Sequence, residues 1–88
     1  MNKQRRKELA EAIEKLEQAI KLLEEAQEIV ETVADEEQES YDNMPESLQG
    51  TERGEMTLDN VSTMEEVRDN IESYIDEIND QIDSLGEL

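Results

Sequence analysis

Five carboxylates in the C-terminal half, Asp69, Glu72, Asp76, Asp80 and Asp83, follow one another at steps of 3, 4, 4 and 3 residues. Glu17, Glu24, Glu28, Glu31 and Asp35 form a second row in the N-terminal half, interrupted by Lys21. Residues three and four apart are neighbours on a helix surface, so each row is a line of negative charges about 5–6 Å apart. The chemistry open to such a line is electrostatic. Its pitch is comparable to that of phosphates along a nucleic-acid strand, about 7 Å for an extended backbone whose bases rise 3.4 Å. A basic protein groove would accept it. The alternative is a solvated face that keeps a small protein soluble, but solubility asks a net charge of only about 2–8 in magnitude. Larger charge costs stability through self-repulsion.

A second constellation lies in the stretch YDNMPESLQGTERGE, residues 41–55. Asn43, Gln49, Thr51 and Arg53 could gather polar groups around an anionic ligand. The competing reading pairs Arg53 with Glu46, Glu52 or Glu55 and uses Asn43 and Thr51 to cap backbone groups. Surrounding carboxylates oppose an anion and favour the second reading. Catalytic chemistry finds no carriers. The chain holds no histidine and no cysteine, so the commonest general base, thiolate nucleophiles and thiolate metal sites are all absent. The acids of 35–55 do not follow the calcium-loop pattern. No enzyme, metal site or cofactor is expected.

Charge narrows the partners further. The 26 acids oppose 8 bases, a net −18. Residues 1–21 carry six bases (Lys3, Arg5, Arg6, Lys7, Lys15 and Lys21) and four acids, whereas residues 22–88 carry only Arg53 and Arg68 against 22 acids, net −20. Nucleic acid and anionic membranes are disfavoured as direct partners, because both are bound through Lys and Arg. A basic protein is favoured, through steering that salt would screen. Apolar runs are too short for a membrane span or a signal-peptide core. A soluble, cytoplasmic protein is the expectation.

These residues need elements to position them. Leu9, Ile13, Leu16, Ile20, Leu23 and Val30 step by 4, 3, 4, 3 and 7, with Gln27 at the skipped place. That heptad spacing, in a stretch rich in Ala, Leu, Glu, Lys and Gln, predicts a helix from about residue 3 to about residue 42. The Arg5-Arg6-Lys7 cluster opposes the dipole at that helix start, so fraying or a partner is expected there. Met64, Val67, Ile71, Tyr74, Ile78 and Leu85 fall on a second seam with Gln81 at the missing step, and Ile75 and Ile82 widen it. A second helix is predicted over about 62–85, capped by Ser62 or Thr63 and closed by Gly86. The fold class is therefore all-α, one domain over 1–88, an antiparallel helical hairpin with a connection over 43–61.

Apolar residues from Leu22 to Val33 occupy more than a single seam, wider than one partner helix covers. Self-association into a dimeric four-helix bundle would bury them, with Leu9, Ile13, Leu16, Ile20, Leu23, Val30, Val67, Ile71 and Ile78 as its core. A partner helix from another protein is the alternative. In the connection, Pro45 suits the start of a short helical turn, Gly50 its left-handed end, and Gly54 a break. Leu48 and Met44 would point toward the helices, plugging the open end of the hairpin.

The residues Asp42, Asn43, Met44, Pro45, Glu46, Leu48, Gln49, Thr51, Glu52 and Arg53 resemble a turn motif of small, acidic, uncharacterised helical-hairpin proteins from prophages and mobile elements of Gram-positive bacteria. The resemblance implies a mobile-element setting in a bacterial host and a helical hairpin; it implies no activity. The chain departs from it at MTLDNVST, since the resemblance implies a second helix that starts sooner after the motif. Function then divides three ways. The chain is an inhibitor that mimics nucleic acid toward a basic host protein, an adaptor that completes a helical bundle, or a small-ligand sequestering protein using 43–53.

Overall fold

The computed structural model describes all of residues 1–88. It is all helical, without a strand. α1 runs from Lys3 to Asp42, a single turn α2 from Glu46 to Gln49, and α3 from Glu52 to Gly86. α1 and α3 pack antiparallel as an extended hairpin of 69 × 15 × 13 Å. A 40-residue helix is about 60 Å long at 1.5 Å per residue, so α1 sets the length of the rod.

The α1 seam follows the sequence. Leu9, Ile13, Leu16, Ile20, Leu23, Gln27 and Val30 all turn inward, and the same 4–3 stepping continues through Ala34, Glu37 and Tyr41. On α3 the inward positions are Gly54, Thr57, Val61, Met64, Arg68, Ile71, Ile75, Ile78, Ile82 and Leu85, again at alternating steps of 3 and 4. The core is thin. Ile20, Ala34, Val61 and Ile75 are its only buried apolar residues, and no side chain is completely enclosed. Two helices can offer each other only one stripe apiece, so burial stops at the seam.

Several expectations need correction. α3 starts ten residues earlier than residue 62, so Ser62 and Thr63 lie inside it rather than at its cap. Glycine and threonine hold the inward places 54 and 57, and small or polar residues there hide the period from a search for apolar ones. The α3 seam also runs one residue round from the predicted line. Val67 and Tyr74 stand on its flank, 41 % and 53 % exposed, while Arg68 and Ile75 take the inward place. An arginine can hold a seam position by laying its stem along the groove and keeping its charged head wet. α1 begins at Lys3 despite the basic cluster, because Asn2 caps it: Asn2 Oδ1 accepts from the Arg5 backbone N–H at 2.8 Å. That bond satisfies one of the orphan amide donors of the first turn.

The connection is a built turn. Pro45 precedes α2 in extended conformation (φ −57°, ψ 145°), and its carbonyl accepts from Leu48 N and Gln49 N at 2.8 and 3.2 Å. Gly50 is not left-handed (φ −84°), and no residue of the chain has positive φ. Gln49 Nε2 donates to the Tyr41 carbonyl at 3.1 Å, and Thr51 Oγ1 donates to the Leu48 carbonyl. Gly54 does not break anything. It is buried inside α3, where an added Cβ would meet Gln49 C and Leu48 O at 2.7 and 2.8 Å. The α2 backbone lies directly on it, which only a residue without Cβ permits. Leu48 is 43 % exposed and so is no plug.

Candidate functional site: the acidic flank

An antiparallel pair has two flanks, and the seam decides which residues each receives. Residues four after Ile20 and Gln27, namely Glu24 and Glu31, fall on one flank of α1; four after Val61 and Arg68 come Glu65 and Glu72 on α3. In an antiparallel pair those positions face the same side. Contacts across the seam tie them together. Gln27 Nε2 donates to Glu72 Oε2 at 2.8 Å and to the Arg68 carbonyl at 3.2 Å. The Arg68 guanidinium bonds Asp69 Oδ1 at 3.2 Å. Its pKa lies above the ordinary arginine value, first through that hydrogen bond; partial desolvation opposes the rise, and the charges of Asp69, Glu65 and Glu31 add to it. Carboxylates from α1 and α3 therefore converge on one side of Arg68.

The two carboxylate rows consequently share a flank. Glu17, Glu24, Glu28, Glu31 and Asp35 on α1 lie alongside Asp69, Glu72, Asp76 and Asp83 on α3. Asp80 stands further round, on the outward back of α3. All of these carboxylates are exposed. Lys21 interrupts the α1 row, and Arg68–Asp69 is the only side-chain ion pair in the molecule. Exposed pairs of this kind hold little stability, so the flank is a surface of mostly unneutralised charge. No three acidic side chains converge to hold a metal.

No family model, curated protein or solved structure matches the chain.

The motif residues sit apart from the acidic flank, and their bonds go to backbone. Asn43 ends α1, its N–H on the Glu39 carbonyl at 3.0 Å; Pro45, Gln49 and Thr51 hold the turn as described. Arg53 is exposed and forms no ion pair with Glu46, Glu52 or Glu55. Neither Asn43, Gln49, Thr51 nor Arg53 lines any of the surface concavities. Of the residues assigned to an oligomer core, all but Val67 are taken up by the seam within the hairpin itself. Arg68 was missed as a seam residue. Its signal is position: it falls four after Met64 and three before Ile71, and between Val61 and Ile75 at intervals of seven.

The other flank differs in kind. Residues one before the seam positions, Ala19, Ala26 and Val33 on α1 and Val67 and Tyr74 on α3, face this side, with Leu22 and Ile29 beside them. Leu22 and Ile29 are 66 % and 64 % exposed. Val33 shares a shallow groove with Asn60, Thr63 and Met64, which fixes the two helices' apolar residues on a common side.

Proposed function

We propose that the chain is a non-enzymatic, acidic protein-binding module that presents its carboxylate flank to a basic protein and mimics the phosphate rows of nucleic acid. The observation that supports this is the gathering of both carboxylate rows, Asp80 apart, on one side of an extended hairpin. Two helices packed about 8–10 Å apart offer two parallel lines of charge, where random acidity would spread charge all round the rod. A groove lined by Lys and Arg gains Coulomb energy along the whole line and is drawn in by long-range steering. The mobile-element setting that the turn motif suggests, in the cytoplasm of a bacterial host, suits an inhibitor of a host nucleic-acid-binding protein. Self-association of hairpins into a four-helix bundle is part of this reading.

The test is a salt titration with competition. A basic partner isolated on the immobilised chain should be released steeply between about 50 mM and about 500 mM salt, and duplex DNA or RNA should displace it. Replacing Asp69, Glu72, Asp76, Asp80 and Asp83 by Asn and Gln should slow association while leaving the helical signal intact. Binding that is equally strong across that salt range, insensitive to nucleic acid and lost on Val33→Asp would overturn the mimic in favour of an adaptor docked on the apolar flank.

A further inference from the structure

The flank opposite the carboxylate rows carries an arrangement of its own. Of the chain's 26 acids, Glu8, Glu36 and Glu77 fall on it and Glu37 lines its groove beside Val33, against the bases Arg5, Lys15 and Arg53. It carries almost no net charge in a molecule of net charge −18. Its middle is apolar: Leu22, Ile29, Val33, Val67 and Tyr74 all stand more than 40 % exposed. Ala19 and Ala26 between them leave room for a second backbone to come close. We infer that this flank is the interface between two copies of the chain, packed flank to flank.

Charge selects the occupant. Other approaches of two copies set carboxylates against each other, whereas this one brings together surfaces with almost no net charge. Lys15 lies eleven residues before Ala26 and Glu36 ten residues after it. A two-fold axis at the level of Ala26 thus brings Lys15 beside the second copy's Glu36, and the reverse, as an isologous interface requires. A parallel two-fold pair would instead stack α1 on the second copy's α3 and, since Gln27 packs across from Arg68, set Lys15 near the second copy's Glu77. The need is physical as well, since a hairpin with six buried residues has little core of its own.

The arrangement leaves the two acidic flanks pointing outward on opposite sides, so one dimer would take two basic partner molecules. The inference rests on the self-association part of the proposed function and can be tested without any partner. Light scattering on the full chain should give twice the 10.2 kDa monomer mass. Val67→Asp with Tyr74→Asp should return the monomer mass with the helical signal retained, because neither side chain belongs to the seam. The direction is read by cross-linking, since the chain has no cysteine. Under mild oxidation Lys15→Cys mixed with Glu36→Cys should form a disulfide-linked pair if the two copies run antiparallel, and Lys15→Cys mixed with Glu77→Cys if they run parallel. A chain that stays monomeric at about 100 µM, far above the Kd of a stable dimer, overturns the inference. So does a dimer unaffected by the flank substitutions, or one in which neither mixture links. None of these outcomes touches the salt-dependent binding by which the mimic is judged.

Discussion

Replacing Gly54 by alanine tests the turn more sharply than any other single change. On helix propensity alone, alanine within α3 should stabilise by about 1 kcal/mol over glycine. The structure opposes this. The new Cβ would stand 2.7 Å from Gln49 C and 2.8 Å from Leu48 O, below the 3.0 Å that real Cβ atoms keep, and both neighbours are backbone that no rotamer change can move. α2 would have to retreat by about 1 Å, an overpacking strain of about 1–3 kcal/mol. The retreat also stretches the Gln49 Nε2–Tyr41 carbonyl bond of 3.1 Å, worth about 1 kcal/mol. With the propensity gain subtracted, the net loss is about 2 kcal/mol, or a melting temperature about 8–16 °C lower for a domain of this size. Thermal unfolding followed by circular dichroism, at one fixed chain concentration, measures it. Gly50 and Gly86 serve as controls, because a Cβ at either meets nothing within 4 Å. Gly50→Ala and Gly86→Ala should leave the melting temperature unchanged or raise it slightly, by the ~0.4–1 kcal/mol that alanine gains where the backbone suits it. Should Gly54→Ala melt at or above the parent, as the controls do, α2 does not lie on α3 and the account of the turn fails.

Three further outcomes are expected. Ile75→Ala, at a site 7 % exposed, should cost about 2–3 kcal/mol, whereas Leu48→Ala, at 43 % exposed, should cost less than about 1 kcal/mol; equal losses in denaturant titrations would contradict the thin seam and exposed turn. Gln27→Leu should stabilise by about 1 kcal/mol, since leucine fills the seam and the lost bonds to Glu72 and Arg68 are replaced by water. Wider amide-exchange variation along α3 in that variant would show that Gln27 fixes register, and a clear loss of stability would refute the estimate. Added salt at neutral pH should raise the melting temperature, because the folded rod crowds its carboxylates more than the unfolded chain and salt screens that repulsion. A melting temperature that falls as salt is added would show native charge contacts outweighing repulsion.

The sequence by itself determined the hairpin and most of its seam. Leu9 to Val30 could be placed because α1 carries an apolar residue at nearly every inward step, and a heptad of leucine and isoleucine has one stable orientation against a partner helix. Met64, Ile71, Ile78 and Leu85 were legible for the same reason. The two carboxylate rows could each be read from steps of three and four. The tertiary structure decided that both rows share a flank, because that depends on which side of each seam they fall and on antiparallel pairing. It also decided the true α3 seam. Arg68 inside and Val67 and Tyr74 on the flank invert their usual preferences, and no single-helix pattern distinguishes a buried stripe from an apolar edge one residue away. The start of α3 at Glu52 was hidden likewise, since Gly54 reads locally as a breaker. Its role comes from the α2 backbone lying against it, and a close approach of two chain segments is a fact of three dimensions that composition does not record.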